Sequence, residues 1–204
     1  MEATELLNAG DFRPTEMIAA DDRPHRLTVS GIYELPFGQG KRLFADANRV
    51  VSRIISGWQI NGIYTYQSGP PIGNWGNVIF TGSLGDVRLP RDRQTVQRWI
   101  NTEAGFEKDP AKQLASNVRT FPNRFGFIRA DYINNFDLSL FKNTRITEDV
   151  SLQFRAEFLN AFNTPLLFTS QINLNPTQVG FGSLTATTQE NYPRRIQFAL
   201  KLLF

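Results

Sequence analysis

The last ten residues of the chain, RIQFALKLLF (Arg195–Phe204), alternate between apolar and mostly polar side chains. Successive side chains of a β-strand point to opposite faces, so this segment has one apolar face and one mostly polar face. Ten residues is about the length of a tilted strand that crosses a bilayer. The segment is therefore predicted to cross a membrane as a strand. Its predicted membrane-facing residues are Ile196, Phe198, Leu200, Leu202 and Phe204.

Four further segments show the same alternation, with isolated exceptions such as Ile32. They are His25–Leu35, Trp58–Ser68, Phe136–Ile146 and Val150–Phe158. One such segment is weak evidence, but five in a single chain predict an all-β protein with about five antiparallel strands.

The composition excludes several classes of protein. The chain contains no run of 18 apolar residues and so no transmembrane helix, whereas the strands of a barrel hide their hydrophobicity in alternation. The net charge is only +3 and the basic residues are scattered, which argues against a nucleic-acid partner. With no cysteine and one histidine, His25, the chain has no disulfide, no thiolate metal site and no catalytic triad.

The connections favour a transmembrane β-barrel. Thr147-Glu148-Asp149 is predicted to be a tight turn, whereas Gly69–Tyr132 spans 64 residues and Asn163–Tyr192 is also long. Soluble domains seldom carry such loops, but outer-membrane barrels combine short periplasmic turns with long extracellular loops. The predicted fold is an antiparallel up-and-down transmembrane β-barrel segment. It is incomplete, because a five-stranded sheet leaves two unpaired edges.

Residues 1–204 are predicted to form one partial barrel domain. Within it, residues 1–24 are interpreted as the remnant of an extracellular loop and residues 69–132 as a long extracellular loop. This orientation places aromatic rings near both membrane interfaces, as is typical of such barrels. The rings are Tyr64, Tyr66, Phe136, Phe158 and Tyr192 toward the outside, and Tyr33, Trp58 and Phe204 toward the periplasm.

One or two short helices are expected between the strands. Apolar residues recur at helical spacing in Ala47–Ser56, with Asp46 as the expected N-cap and Gly57 as the expected stop. This helix is predicted to lie at the periplasmic rim. A second helix is expected around Arg93–Thr102, where the apolar stripe is sparse.

The N-terminal residues MEATELLNAGDF contain no basic segment and no apolar core, so they do not form a signal peptide. A protein destined for the outer membrane needs one. We therefore expect the chain to be the tail of a longer polypeptide, or else the outer-membrane interpretation fails.

No set of residues predicts an enzyme or a cofactor site. The adjacent carboxylates Asp21 and Asp22 are expected to be solvated, and Arg155 with Glu157 is expected to hydrate a lumen rather than to form a charge ladder. Two groups in the long loop have a binding interpretation, but a solvated face is preferred for the first group and packing of the loop for the second. They are the arginines Arg88, Arg91, Arg93 and Arg98, and the aromatics Trp75, Phe80, Trp99, Phe106, Phe121, Phe125 and Phe127.

Five phrases of the sequence, in conserved order along nearly the whole chain, resemble the C-terminal barrel region of Oar-like TonB-dependent outer-membrane transporters. They are DRPHRLTVSGIYELPFGQGKR (Asp22–Arg42), GWQINGIYTYQSGPPIG (Gly57–Gly73), INNFDLSLFKNTRI (Ile133–Ile146), LQFRAEFLNAFNTP (Leu152–Pro165) and YPRRIQFALKLLF (Tyr192–Phe204). The resemblance implies a large barrel of 22 strands with an N-terminal plug, energised through the TonB complex. No plug or TonB box is visible in these residues. The aromatic at the end of the last strand resembles the signature that the barrel assembly machinery reads.

The leading hypothesis is thus a piece of a TonB-dependent receptor in the cell outer membrane, forming part of the barrel wall for substrate uptake. Its expected partners are outer-membrane lipid, the barrel assembly machinery and, through the missing N-terminal part, the TonB complex. The substrate is not defined by the sequence. The alternative is a soluble or surface-attached β-sandwich that binds glycans, whose strands would also alternate.

Overall fold

A computed structural model describes residues 6–113, 118–167, 172–184 and 189–204. The chain divides into two compact units. The sheet unit comprises His25–Gln67, Ile133–Pro165 and Asn191–Phe204, and the loop unit comprises Met1–Pro24, Ser68–Tyr132 and Leu166–Glu190. Among the described residues no helix has the length and apolar character needed to cross a membrane.

Seven strands occur in the described residues. In chain order they are β1 (Arg26–Glu34), β2 (Trp58–Gln67), β3 (Pro71–Gly73), β4 (Arg124–Arg129), β5 (Ile133–Arg145), β6 (Ser151–Leu159) and β7 (Arg195–Leu203). The sheet unit consists of five of them in the order β1-β2-β5-β6-β7, each antiparallel to its neighbour. All five strands predicted from alternation are confirmed within a few residues at each end.

The register of the sheet unit places apolar residues beside apolar ones and polar residues beside polar ones across all five strands. One row runs Tyr33–Ile60–Leu140–Ala156–Phe198 and is entirely apolar. The adjacent row, on the opposite face, runs Ile32–Asn61–Ser139–Glu157–Gln197 and is polar except at β1. Because a shift of one residue would invert every side chain of a strand, this agreement fixes the register.

The turn between β5 and β6 is tight, as the sequence predicts. The backbone N–H groups of Ile146 and Thr147 both donate to the carbonyl of Val150, at 2.9 and 3.0 Å. The hydroxyl of Thr147 accepts a hydrogen bond from the N–H of Val150 at 3.1 Å. A threonine at the first turn position thus satisfies a donor that the hairpin would otherwise leave open.

The connection between β1 and β2 contains the helix α1 (Arg49–Ile55). The predicted N-cap Asp46 is wrong. Asn48 is the cap, and its side-chain oxygen accepts from the N–H of Val51 at 2.8 Å. Gly57 does follow the helix, with φ of 73°, and a Cβ there would collide with the carbonyl oxygen of Asn143.

The loop unit has its own hydrophobic core. β3 and β4 form a short antiparallel ladder, and Trp75 lies among aromatic rings, 5.9 Å from Phe106, 5.1 Å from Phe121 and 5.9 Å from Phe125 between centroids. The structural interpretation of the loop aromatics is confirmed for the buried ones, Trp75, Trp99, Phe106, Phe121 and Phe125, whereas Phe127 is exposed. The described residues of this long connection are therefore held by a core of buried apolar side chains, to which residues after β6 such as Leu184 also contribute.

The second expected helix is wrong. The segment Arg93–Thr102 contains no helix beyond the end of a single 3₁₀ turn (Arg91–Arg93), and Thr95 and Arg98 form an isolated bridge. Trp99 and Ile100 are buried in the loop-unit core through irregular backbone. Their burial, and not helical periodicity, accounts for the apolar residues there.

Candidate functional site: the exposed apolar face of the sheet

The apolar face of the sheet unit extends over all five strands. It is exposed on β1 and β7 and mostly half-buried on β2, β5 and β6, where Ala156 is buried. On β7 the structure places Ile196, Phe198, Leu200 and Leu202 on this face, with Phe198 69% exposed, and Phe204 just beyond the strand. On β1 the exposed apolar residues of this face include Leu27, Val29 and Tyr33. An apolar surface that runs across five strands is far larger than a water-soluble protein tolerates, so it requires an apolar partner.

Aromatic rings lie at one end of this face, beside the long connections. The rings of Tyr64 and Phe136 are 6.2 Å apart and those of Phe136 and Phe162 are 5.4 Å apart between centroids. At the other end, Trp58 on β2 donates its indole N–H to the carbonyl of Ile54 at 2.9 Å. Amphipathic rings at both ends of an apolar band are typical of strands that span a bilayer.

The opposite face carries a polar network. The guanidinium of Arg155 donates to Glu157 at 3.1 Å and lies 4.7 Å over the ring of Phe141. Glu157 also accepts a hydrogen bond from the Gln197 amide of the neighbouring strand. A face on which charged and amide groups bond to one another across strands suits contact with water and not with lipid.

Lys142 is the one charged side chain on the apolar face of the five described strands. It lies opposite Phe154 and Trp58 in the register. Its ammonium donates to the carbonyl of Arg53 at 2.9 Å and to that of Ser56, at the end of α1. The long side chain thereby carries its charge to polar backbone at the edge of the apolar band, as lysines near membrane interfaces do.

Two of the charged candidates of the loop unit, Asp22 and Arg91, form structural contacts, so the expectation that Asp22 is simply solvated is wrong, whereas Arg88 and Arg93 are exposed. Asp22 forms an ion pair with Arg129 at 2.6 Å. Arg91 bonds to buried Asp131 at 2.6 Å and stacks 5.0 Å from Trp99 and 4.6 Å from Tyr132. Among the described residues no group of acidic or histidine side chains could hold a metal ion.

One carboxyl group of the loop unit, that of Glu103, has a lowered pKa. The ammonium of Lys108 donates to the carboxylate of Glu103 at 2.5 Å, and this hydrogen bond lowers the pKa of Glu103 below its usual value. Both side chains are exposed, so the pair contributes little to stability.

Asn160 is a residue whose role the sequence analysis missed. It follows β6 in the left-handed region, with φ of 51°, and is 2% exposed. Its amide donates to the carbonyls of Thr164 and Tyr192 at 3.1 and 3.0 Å, and its oxygen accepts from the N–H of Thr164 at 2.9 Å. An asparagine directly after a strand was the available signal, because asparagine tolerates positive φ.

We expect Asn160→Ala to destabilise the sheet unit by about 3 kcal/mol, because buried partners lose their hydrogen bonds and a Cβ residue is held at positive φ. Asn160→Gly should lose the same hydrogen bonds without the backbone strain, and so cost about 1 kcal/mol less. Denaturant unfolding of the protein in detergent micelles measures both values. A glycine variant less stable than the alanine variant would contradict the role given to the backbone.

The sheet with one exposed apolar face and one polar face defines a β-barrel wall that faces lipid on one side. In agreement with this geometry, residues 6–197 match a family model described as outer membrane beta barrel domain, and the chain belongs to that family. No curated protein matches the chain significantly, and no solved structure does so either.

The family and the sheet together confirm the predicted fold class, an all-β, incomplete antiparallel barrel, and its localisation in the outer membrane. The β-sandwich alternative is wrong, since the chain belongs to the outer-membrane barrel family and the apolar face of its five-stranded sheet is exposed on β1 and β7. The chain forms part of a barrel wall in the outer membrane.

Proposed function

We propose that the chain is the C-terminal portion of an Oar-like TonB-dependent receptor and forms part of the wall through which a substrate is taken up with energy. The five sequence phrases that resemble this family support the proposal. The open edges of the sheet agree with it, because within the described residues the outer edges of β1 and β7 have no strand partner. A barrel that contains this sheet needs further strands.

The observation that carries the proposal is the size and order of the loop unit. The connections from β2 to β5 and from β6 to β7 leave the sheet at the same end, and both contribute to this unit. Recognition residues are commonly placed on loops held by a rigid scaffold, and these connections are far longer than a turn between strands requires. The loop unit also contains an open cleft of about 920 Å³ that is lined by both polar and apolar residues.

The proposal includes an orientation and a set of partners. The loop unit faces outside and the Thr147–Asp149 turn faces the periplasm, since barrels keep their short turns there. Lipid contacts the apolar face. The barrel assembly machinery reads the apolar residues of β7, the TonB complex acts through an N-terminal part, and no nucleic acid is involved. The role is transport and not catalysis, with no cofactor, and the substrate stays open.

The test compares solute uptake in three strains of the source bacterium: the parent, a deletion of the gene and a strain without a functional TonB complex. We expect the same solutes to remain in the medium of both mutants, and a protonophore to abolish their uptake in the parent. Complementation with the Gln197→Ala variant of the full protein, altered on the polar face, serves as the matched control and should restore uptake.

Uptake that depends on the gene but persists with the protonophore would contradict energised transport and indicate a passive channel. An unchanged solute profile in the deletion strain, across a broad nutrient mixture, would contradict a role in uptake altogether.

A further inference from the structure

A basic groove lies between α1 and the β5–β6 hairpin of the sheet unit. Its volume is about 450 Å³. Arg49, Arg53, Lys142 and Arg145 line it together with a single carboxylate, that of Glu148. Four cationic side chains against one carboxylate give the groove a positive potential that favours an anion.

Two of these cations are held in place by the backbone. The guanidinium of Arg145 donates to the carbonyls of Thr147 and Glu148, both at 3.1 Å. Lys142 donates to the end of α1, as described above. The hairpin and the helix therefore position the walls of the groove before any ligand arrives, which lowers the entropic cost of binding one.

The helix α1 adds an apolar surface next to the groove. Arg49 and Arg53 are one turn apart and form a basic stripe, while Val50 and Ile54 form a neighbouring apolar stripe, 70% and 62% exposed. A short helix with a basic stripe beside an exposed apolar stripe is typical of segments that lie in the interface of a membrane. Its apolar residues gain from contact with acyl chains that water cannot provide.

The position of the groove indicates which class of molecule supplies the anionic group. Lys142, which lines the groove, belongs to the apolar face that contacts lipid. Ile146, which also lines the groove, is apolar and exposed. A molecule seated there has its anionic group among arginines and its apolar part against the lipid-facing wall. Arginine matches phosphate particularly well, because its planar fork donates two hydrogen bonds at once.

We propose that this groove binds the phosphate headgroup of an anionic phospholipid whose acyl chains cover Val50, Ile54 and Ile146. The bound lipid holds α1 at the membrane surface and sets the depth of the hairpin end of the wall. The assignment to a phospholipid rests on the orientation in the proposed function, since phospholipid occupies the periplasmic leaflet. Energised uptake is not required for it.

The test uses the full-length protein, purified in a mild detergent, with phosphatidylglycerol, phosphatidylcholine and lipid A as probes in native mass spectrometry. We expect phosphatidylglycerol to be retained preferentially. In the double variant Arg49→Gln and Arg53→Gln its apparent affinity should fall about tenfold or more, since each basic residue near a membrane surface contributes substantially to attraction of anionic lipid. Arg49→Lys with Arg53→Lys should keep part of the binding, because charge remains while the planar fork is lost.

The matched control is the double variant Arg88→Gln and Arg93→Gln, which removes two exposed arginines from the loop unit. It should leave phosphatidylglycerol binding unchanged. Equal losses in the two double variants, or no loss in the α1 variant, would overturn the proposal. So would a preference for lipid A that the α1 variant abolishes, since the groove would then face the outer leaflet.

Folding is followed in parallel by the heat-dependent mobility of each variant on gels. An α1 double variant that remains folded yet loses phosphatidylglycerol supports the site. Should the glutamine variant not fold, the lysine variant decides by the same comparison. Because no energising partner enters this assay, the site and the proposed uptake succeed or fail independently.

Discussion

Phe198→Arg is expected to prevent stable assembly of the protein in the outer membrane. Phe198 lies near the middle of β7 on the apolar face, and its ring stacks 6.2 Å from that of Phe154. An arginine that faces lipid near the bilayer midplane costs about 2–4 kcal/mol, and each 1.4 kcal/mol is about a tenfold change in an equilibrium. The amount of folded, heat-modifiable protein in outer-membrane fractions measures the loss.

The neighbouring residue provides a control at nearly the same depth. Gln197 points to the polar face and bonds to Glu157, so Gln197→Arg places the new charge beside a carboxylate. We expect this variant to assemble with a change of no more than about 1 kcal/mol. Equal loss of both variants, or normal assembly of Phe198→Arg, would contradict the assignment of the two faces.

Asp131→Ala is expected to destabilise the loop unit. The carboxylate of Asp131 accepts from Arg91 at 2.6 Å and from the backbone N–H groups of Tyr132 and Leu167 at 3.0 and 2.9 Å. Removing it leaves two N–H donors and a stacked guanidinium without their acceptor, which should destabilise the unit by about 2–3 kcal/mol. Hydrogen exchange at Tyr132 and Leu167 in the membrane-reconstituted protein should accelerate accordingly.

Asp92→Ala is the matched control, because Asp92 belongs to the same loop unit but is exposed. It should leave exchange at Tyr132 and Leu167 within about twofold of the parent, a surface change being within about 0.5 kcal/mol. Exchange that is unaffected in Asp131→Ala would show that Arg91 and the two amides find other acceptors, and that Asp131 does not organise the unit.

The strands could be predicted from the sequence because lipid on one face and polar surroundings on the other impose a strict period of two. The polarity of each residue of β7 indicates whether it faces lipid or a polar environment, so the strand could be predicted without knowing its neighbouring strands. The hairpin at Thr147 was also predictable, since short polar turns have local chemistry. The family's wall architecture follows from these local signals.

The helix predicted in Ala47–Ser56 is confirmed as α1, whereas its N-cap and the second predicted helix were wrong. Asp46 and Asn48 are both residue types that cap helices well, and the structure uses Asn48, whose side-chain oxygen accepts from the N–H of Val51. Around Trp99 the apolar residues serve the loop-unit core, in which Trp99 donates its indole N–H to the carbonyl of Arg129 at 3.1 Å. A contact between residues that lie 30 positions apart cannot be detected from the local spacing of apolar residues.

The charged contacts at the edge of the apolar face could not be predicted from the sequence either. A lysine on an apolar face, such as Lys142, is unexpected from the sequence alone. Its acceptor, the carbonyl of Arg53, lies 89 positions away in the chain, so local spacing gives no sign of this contact. The basic groove depends on the same meeting of α1 with the β5–β6 hairpin. Alternation thus predicts which face meets lipid, whereas sites at the edge of that face require the three-dimensional structure.

Single-cysteine scanning of β7 determines which face of the sheet contacts lipid, and it is practicable because the chain contains no cysteine of its own. A fluorophore is attached in turn at each position from 195 to 203 in the full-length protein, reconstituted in bilayers that contain a quencher on the acyl chains. We expect strong quenching at Ile196, Phe198, Leu200 and Leu202 and weak quenching at the positions between them, with the reverse order for an aqueous quencher. Quenching that does not alternate along the strand, or alternates in the opposite sense, would contradict a wall with one lipid-facing side.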